Sequence, residues 1–332
     1  MSSRFLVLVL LIAGVGCAGP AAPPASGPET PAPFEVEPAP TWTDDGLRIA
    51  AFNAEFLFDG MDEEGGATFA WKGDPEAARA HLDAVADVVR ALDADLVLIS
   101  EVENEATLAA LAEAVGQGHT ATLVDGQDSF TGQDVGLLSR VPIEEAGRTD
   151  ERAEVGVSDQ TYGVSKNLWA RLTLAGRPVT VVGVHFLARP DDLERRDRRE
   201  AQAEVIRRLV AREAERGRDL IVLGDFNDFD DATLDRRSSR PITDVLATVK
   251  AAGPGPEDDL VNVLGDVSQA RRFTSFYDRD GDDAFDVGEF SAIDHVLLSP
   301  SLYRLVRDVR YVHAHDPRAV SDHFPIVVTL ER

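Results

Sequence analysis

The 332 residues contain one cysteine, Cys17, so no intrachain disulfide can form and the fold must be stable through its core alone. Long apolar runs are missing as well. The apolar stretch at residues 5–12 falls well short of the roughly 20 residues that a membrane-spanning helix needs. Positive charge is scarce, with 33 Lys and Arg against 59 Asp and Glu and a formal net charge of −26. That deficit argues against tight, nonspecific binding to nucleic acid, which needs a basic footprint. The arginine-rich stretch 195–218 does not supply one. Its arginines are interleaved with Asp197, Glu200, Glu204, Glu213 and Glu215, and Glu194 precedes it, the pattern of a solvated helix face. Such an acidic surface suits exported, salt-tolerant or cation-rich conditions. No internal repeat is present.

The chain opens on an address. Arg4, the apolar residues 5–12 and a small-residue end make up a secretory signal. Ala13-Gly14-Val15-Gly16-Cys17 resembles a bacterial lipobox, with Gly14 where a larger aliphatic residue is usual. The expectation is a signal peptide over residues 1–16, with Cys17 acylated as the new N-terminus. A cysteine left in an ordinary signal peptide is the plainer alternative. Cleavage removes only Arg4 among the charged residues, so the mature chain is slightly more acidic still. Residues 17–45 carry Pro20, Pro23, Pro24, Pro28, Pro31, Pro33, Pro38 and Pro40. That composition cannot bury enough surface to fold and predicts a disordered tether. Residues 46–332 are then one large domain, exported and lipid-anchored to the cell envelope at the outer membrane, or otherwise periplasmic or secreted. The membrane, through the anchor, is one expected partner, and no feature calls for a protein partner.

Alternation over 47–52 predicts a first strand ending at Asn53. Asp74-Pro75 starts a helix with an N-cap and a proline at its first position, and Leu82, Val85, Val88, Val89 and Leu92 follow at helical spacing. The run 96–99 predicts a fully buried strand, followed by a short helix over 106–115 and strands near 119–124 and 135–138. Segments 168–174 and 178–185, separated by Ala175-Gly176-Arg177, predict a hairpin. A long helix fills 193–216, with Gly217 suited to its C-terminal cap. Further strands fall at 220–223, 272–276, 293–298 and 325–330. This order predicts two packed sheets flanked by helices.

Several of these strands end in polar groups. Gly224-Asp225-Phe226-Asn227 follows the apolar run 220–223, and Ser321-Asp322-His323-Phe324-Pro325 leads into 326–330. Asp225 and Asn227, two residues apart, point to the same side of an extended chain and can hold one water or one metal-bound oxygen together. Asp322-His323 adds an acid and a base that titrates near neutrality. The first strand gives Asn53 and Glu55, the second Ser100-Glu101 with Glu103 and Asn104 beyond, the hairpin His185, and Asp294-His295 opens a later strand. Each alone has a bland reading: a solvated Glu, a turn-forming Asn, a His satisfied by its neighbour. All of them in one chain do not fit coincidence, because strand ends and the loops after them are where a scaffold displays catalytic groups. In-line attack on a phosphodiester needs a polarising cation, an oriented water and donors facing the oxygens where charge builds. These residue types supply all three.

Read in order, Phe52-Asn53-Ala54-Glu55-Phe56-Leu57-Phe58-Asp59, Ile99-Ser100-Glu101-Val102-Glu103-Asn104, Asp134-Val135-Gly136-Leu137-Leu138-Ser139-Arg140, Val184-His185-Phe186, Gly224-Asp225-Phe226-Asn227, Ile293-Asp294-His295 and Ser321-Asp322-His323-Phe324-Pro325 resemble the endonuclease/exonuclease/phosphatase superfamily. It includes DNase I-like nucleases, abasic-site endonucleases, inositol phosphatases and neutral sphingomyelinases, and this chain resembles a bacterial exported member over about residues 47–330. The resemblance implies an α/β fold, a four-layer αββα sandwich of two packed mixed sheets flanked by helices. It implies that Glu101 binds a divalent cation, Mg²⁺ with Mn²⁺ also suited, with Asn53 beside it and Asp322 on the metal side; hard oxygen ligands beside a phosphate fit that ion. Asp225 and Asn227 would orient the attacking water and the phosphate. His323, oriented by Asp294, would act as base or stabilise the charged phosphorane-like state, and His185 would donate to the phosphate. Ser100 stands where a Gln is common, and Lys166-Asn167 where an Arg is frequent. Lys166 could still meet the phosphate, as a point charge rather than a fork.

A second acidic feature lies between two predicted strands. Residues 278–289 carry acids at the first, third, fifth, ninth and twelfth positions, Asp278, Asp280, Asp282, Asp286 and Glu289, the spacing of an EF-hand calcium loop. Asp283 occupies the position of the usual glycine, and the strand-like flanks do not make a helix pair. A Ca²⁺ loop ordering one edge of the site stands beside the plainer reading of an acidic hairpin tip. The leading function is an exported Mg²⁺-dependent phosphoesterase that hydrolyses phosphodiesters, as a nuclease, on a nucleic acid, nucleotide or lipid headgroup. The rivals are a sphingomyelinase-like phospholipase or phosphatase and, from another class, a non-catalytic calcium-dependent surface binding lipoprotein.

Overall fold

The computed structural model describes residues 34–61, 65–251, 253, 255–282 and 284–332. The expected signal peptide, Cys17 and residues 17–33 of the expected tether lie outside them, as does Asp283. In chain order the elements run β1 (Leu47–Leu57), α1 (Pro75–Leu92), β2 (Leu96–Val102), α2 (Glu105–Val115), β3 (Thr120–Leu123) and β4 (Asp134–Ser139). Then come β5 (Ile143–Gly147), β6 (Arg152–Glu154), β7 (Thr161–Gly163), β8 (Lys166–Leu174), β9 (Arg177–His185), α3 (Leu193–Glu215) and β10 (Asp219–Asp225). The last part holds α4 (Val245–Lys250), β11 (Val261–Asn262), β12 (Ser275–Phe276), β13 (Phe290–Ser291), β14 (Asp294–Leu298), α5 (Pro300–Tyr303), β15 (Val306–Tyr311) and β16 (Ile326–Leu330).

Two six-stranded mixed sheets result, ordered β15-β16-β1-β2-β4-β3 and β11-β14-β10-β9-β8-β5. Strand side chains alternate between faces. Ile49, Ala51, Leu96 and Leu98 share one core with Val179, Val181, Ile221 and Leu223 between the sheets. On the opposite face, Ala50, Phe52, Val97 and Ile99 pack with Leu82, Val85 and Val89 of α1, and Val182, Val184 and Val222 with Val205, Ile206 and Leu209 of α3. Burial on both faces is why the central strands read as unbroken apolar runs. Helix, sheet, sheet, helix is the four-layer αββα sandwich.

Each sheet is built around one parallel pair, and these pairs position the site. β1 lies parallel to β2 with Asn53 opposite Ser100, and β10 lies parallel to β9 with Asp225 opposite His185. The carboxyl ends of all four strands therefore carry the polar groups. β14 runs antiparallel to β10 and starts with Asp294 opposite Asp225. β16 is antiparallel to β1, with Ile326 opposite Ala51, so His323 enters from the same rim. Sheet register, not sequence proximity, gathers the residues.

Local chemistry accounts for most boundaries. Asp74 Oδ1 accepts from the Ala77 N–H at 3.1 Å and Pro75 follows it, as expected of that helix start. Ala175 and Gly176, both at positive φ, close the two-residue turn between β8 and β9, the mirror-image turn that suits twisted strands. Gly217 (φ +74°) follows the last turn of α3.

Three expectations change. Residues 34–45 carry no regular structure but lie against the domain. Phe34 is buried among Phe273, Phe276, Phe290 and Phe324, the Glu37 N–H donates to the His313 carbonyl at 2.8 Å, and the Trp42 Nε1–H donates to the Ala91 carbonyl at 2.9 Å. Aromatic anchors outweigh the proline composition there. The strand expected over 272–276 shrinks to β12, because Arg272 spends its guanidinium on the carbonyls of Val267 and Leu234 in a loop. Finally, β5, β6, β7, β11, β13, β15 and the short helices α4 and α5 went unforeseen; the strands among them are short edge or hairpin strands, whose pairing is fixed by neighbours.

Candidate active site

Backbone irregularity marks the carboxyl ends of β1 and β2. Pairing slips between Asn53 and Leu57 and between Ser100 and Val102, and Glu55, Phe56 and Glu101 adopt left-handed φ of 47°, 50° and 65°. Bulges of this kind re-aim side chains beside functional sites, and the left-handed conformation costs a non-glycine residue of order 1–3 kcal/mol. Here they turn Glu101 into the cleft. Its Oε2 accepts from the Phe56 N–H at 3.0 Å and from Gln133 Nε2 at 2.6 Å, and its Oε1 accepts from Asn53 Nδ2 at 3.2 Å. The same Asn53 Nδ2 donates to Asp225 Oδ2 at 3.2 Å, bridging the two carboxylates across the sheets, while Asn53 Oδ1 accepts from the Glu55 N–H at 3.1 Å. Glu55 Oε2 in turn accepts from the Asp322 N–H at 3.1 Å.

The other half of the site comes from β10, β14 and the segment before β16. His323 Nδ1–H donates to Asp294 Oδ2 at 2.7 Å, which fixes the tautomer and leaves Nε2 facing the cleft. Burial alone would lower the His323 pKa, but the charges of Asp294, Asp322 and Asp225 and the Asp294 hydrogen bond outweigh it and raise it well above the ordinary value. The Asn227 N–H donates to Asp225 Oδ1 at 2.8 Å, so Oδ2 is the Asp225 oxygen presented to His185 Nε2 (3.6 Å) and His323 Nε2 (3.9 Å). Asn227 Nδ2 donates to the Phe186 carbonyl at 3.2 Å, from a left-handed backbone (φ 47°). Burial and the Asp294 charge push Asp225 up to about 8. His185 goes the other way: burial, then the charges of Lys166 and His323, hold it well below its usual value.

Eight expected residues thus meet in one place: Asn53, Glu101, His185, Asp225, Asn227, Asp294, Asp322 and His323. Lys166 is placed differently from the expectation. Its ammonium is buried and lies 3.4 Å from Asp128 Oδ2, 3.2 Å from Gln133 Oε1 and 3.5 Å from His185 Nε2, and it does not line the cleft. The Asp128 carboxylate, fastened by Thr131, captures it first. Four further residues contribute: Gln133 and Thr274 escaped sequence reasoning, while Glu55 and Ser321 stood among the strand-end polar groups without a role. Gln133 links Glu101 to Lys166, and Glu55 braces Asp322. Ser321 Oγ donates to the Asn53 carbonyl at 2.7 Å, and Thr274 Oγ1 accepts from the Asp294 N–H at 3.0 Å. Glu55, close behind Asn53, and Ser321, beside Asp322-His323, carried a signal in the sequence; Gln133 and Thr274 carried none.

The acids crowd one another. Burial and the neighbouring Asp322 charge push Glu55 up to about 7, and desolvation raises Asp322 to about 6. A site of oxygen ligands with this excess of negative charge fits a hard divalent cation of the Mg²⁺ or Mn²⁺ kind. Glu101, with Asp322 and Glu55 near it, would hold that ion. Ligand atoms of Asp225, Asp294 and His323 also lie within 4.8 Å of one another, but the His323–Asp294 hydrogen bond already engages two of them.

In the acidic loop, oxygens of Asp278, Asp280 and Asp282 lie within 4.8 Å of one another, and the Asp282 charge raises the Asp280 pKa. Glu289 is buried, and its carboxylate accepts the Arg279 N–H at 2.8 Å and the Asp286 N–H at 3.1 Å. The loop is flanked by β12 and β13, which pair with each other, and not by an EF-hand's helices. It meets the cleft through Glu289, which lines it with Tyr277 and Arg279. The cleft has a volume of about 720 Å³, with Glu101, His185, Asp225, Asn227, Asp322 and His323 among its lining residues.

A four-layer sandwich with an Asp-oriented histidine and clustered carboxylates at the carboxyl ends of two parallel strand pairs defines a DNase I-like architecture. The chain belongs to the Endonuclease/Exonuclease/phosphatase family, whose model matches residues 50–323. No curated protein sequence matches it. Among solved structures it is similar to the 3′ phosphatase NExo from Neisseria bound to a product DNA hairpin, at 17% identity and a TM-score of 0.57, covering 86% of this chain and 100% of that one. It is also similar to an AP endonuclease from Archaeoglobus fulgidus, at 16% identity and a TM-score of 0.56, with 86% and 100% covered. The human Nocturnin catalytic domain with bound sulfate gives 14% identity and a TM-score of 0.55, with 86% and 93% covered.

Proposed function

We propose that the protein is a divalent-metal-dependent phosphodiesterase. The observation that carries this reading is the meeting, in one cleft, of the Asp294-oriented His323 with Asp225 and Glu101, which come from both sheets. A bound Mg²⁺ or Mn²⁺ would polarise the phosphate and neutralise charge as it develops. Asp225 Oδ2 is the proton acceptor for the attacking water, since Asn227 occupies Oδ1 and burial keeps the carboxylate basic. His323, held in its charged form, faces the phosphate oxygens as a fixed positive partner. His185, kept neutral by burial and the Lys166 and His323 charges, has no charge to trap a phosphate, and its Nε2 accepts from the Lys166 ammonium at 3.5 Å. The sulfate bound to Nocturnin and the DNA hairpin bound to NExo lend the substrate reading support.

The direct test is hydrolysis of plasmid DNA, RNA, sphingomyelin and bis-p-nitrophenyl phosphate by the purified protein. Activity should vanish with EDTA and return with Mg²⁺, and it should be lost in Asp225→Ala. Turnover that EDTA leaves untouched would overturn the metal-dependent reading.

Two further readings concern the envelope and calcium. We place the enzyme at the end of a lipid-anchored tether, on the strength of the sequence up to Cys17. Radiolabelled lipid should then be incorporated into the wild-type chain and not into Cys17→Ala; equal labelling removes the anchor. Calcium at Asp278, Asp280, Asp282, Asp286 and Glu289 predicts a higher melting temperature on adding Ca²⁺ at constant Mg²⁺. An unchanged melting temperature would leave these residues an acidic loop tip.

A further inference from the structure

The cleft wall outside the reaction centre carries two arginines, Arg189 and Arg279, whose guanidinium groups have no ion pair among the described residues. Most arginines here are matched: Arg195, Arg196, Arg207, Arg208, Arg212 and Arg216 on and after α3 each lie within 4 Å of a carboxylate. Three of the acids near them are engaged elsewhere, while Asp278 and Asp280, which flank Arg279, form no ion pair with it. Asp191 lies 3.7 Å from Arg237, Asp192 caps α3 through the Glu194 N–H at 2.8 Å, and Glu289 accepts the Arg279 and Asp286 N–H groups.

Arg189 is held where it is at a cost. Its φ of +73° lies in the left-handed region, where glycine would sit without strain. The conformation is fixed from below. Arg199, fully buried, donates from Nη1 to the Arg189 carbonyl at 2.7 Å and from Nη2 to the Pro190 carbonyl at 2.7 Å. Arg199 Nε in turn pairs with Asp228 Oδ2 at 3.1 Å, and Asp228 directly follows Asn227. The turn that displays Arg189 is therefore fastened to the same segment that carries Asp225 and Asn227. A strained non-glycine residue, fastened to the segment that carries Asp225 and Asn227 and lining the cleft with an unmatched cation, is the kind of outlier that points to a ligand contact.

We propose that Arg189, with Arg279, forms a second anion subsite that binds a phosphate neighbouring the scissile one, so that the enzyme selects substrates carrying at least two phosphates. The inference rests on the phosphodiesterase reading above and adds its specificity. The second phosphate could be the next link of a nucleotide chain or a ring phosphate of a phosphoinositol headgroup, and the shared chemistry is a second phosphate at a fixed distance from the reacting one.

The test compares kcat/KM for the dinucleotides dTpdT and 5′-phosphorylated pdTpdT, and for glycerophosphoinositol and its 4,5-bisphosphate. The wild type should favour the more phosphorylated member of one pair by about tenfold to a hundredfold, the worth of a charge-assisted hydrogen bond or two. Which pair shows it identifies the source. Arg189→Gly, which relieves the left-handed backbone and should fold at least as well, is expected to bring that preference close to unity. Arg304→Ala, an exposed arginine lining a different pocket, should keep it. A preference that survives in Arg189→Gly, or that is absent from the wild type in both pairs, overturns the subsite. Binding of a fluorescent oligothymidylate and of fluorescent inositol trisphosphate in EDTA separates the two readings. If no diester is hydrolysed but Arg189→Gly weakens binding of either probe about tenfold or more, the subsite stands and the phosphodiesterase reading falls.

Discussion

Replacing His323 with alanine should lower kcat by about 10²–10⁴-fold, the range in which a positioned acid–base or charge-stabilising group works. His323 Nε2 lies 3.9 Å from Asp225 Oδ2 and 3.9 Å from Asp322 Oδ1, so it faces the reacting centre, while Nδ1 is committed to Asp294 at 2.7 Å. Removing the ring also leaves the Asp294 carboxylate buried without its partner, so loss of folding is the competing explanation. Asp294→Asn separates the two. It keeps the shape and a hydrogen bond to Nδ1, but it removes the charge that holds the imidazole in its protonated form. It should lower kcat by about tenfold or more with little change in KM and little change in melting temperature. A kcat for both variants within about threefold of wild type would remove His323 from the reaction.

The largest expected loss of stability comes from Arg199→Ala. Arg199 and Asp228 are both fully buried, their pair is reinforced by the Thr243 hydroxyl donating to Asp228 Oδ2 at 2.7 Å, and Arg199 also satisfies the Arg189 and Pro190 carbonyls. Truncation leaves the buried Asp228 carboxylate without its guanidinium, with only the Thr243 hydroxyl and the Phe229 N–H still donating to it, and takes one donor each from the Arg189 and Pro190 carbonyls. Breaking such a pair costs about 3–5 kcal/mol, measurable as a lower urea midpoint at unchanged slope. Arg199→Lys should recover only part of that, since an ammonium cannot reach three acceptors in the fixed geometry of a guanidinium. Arg199→Met combined with Asp228→Leu should recover more than Arg199→Met alone, because it removes the unpaired charge together with its partner. A loss below about 1 kcal/mol in Arg199→Ala would show the pair to be dispensable.

The two predictions differ in how far the sequence foretold them. His323 and Asp294 stood out because each flanks an apolar strand segment, and the structure joins them by a 2.7 Å hydrogen bond. Arg199 gave no such signal. It lies in a run of arginines and glutamates that reads as a solvated helix face, yet it is completely buried while Arg195 and Arg196 beside it are not. Which arginine turns inward depends on where the loop after β9 crosses α3, and no local pattern records that. Lys166 shows the same effect in reverse. Its position before a strand suggested a cleft cation, but Asp128, thirty-eight residues earlier, draws it inside. Gln133 was invisible for the same reason, since a lone Gln between a loop and a strand acquires meaning only when Glu101 is brought to 2.6 Å from it.

The sequence by itself determined the chemistry available and the scaffold's periodicity. Doubly buried strands, a capped α1, a two-residue hairpin turn and oxygen and imidazole groups at strand ends are all properties of neighbouring residues, and short-range sterics and hydrophobic pattern encode them. Tertiary structure decided which of those groups meet, what charge they carry and what lies behind them. Asn53 reaches Asp225 across 172 residues, and Ser321 reaches Asn53 across 268. Such contacts are set by the register of two sheets and by how those sheets face each other. The raised pKa of Asp225 and the lowered pKa of His185 follow from the burial that this packing creates, and the strained Arg189 is held by the buried Arg199 beneath it.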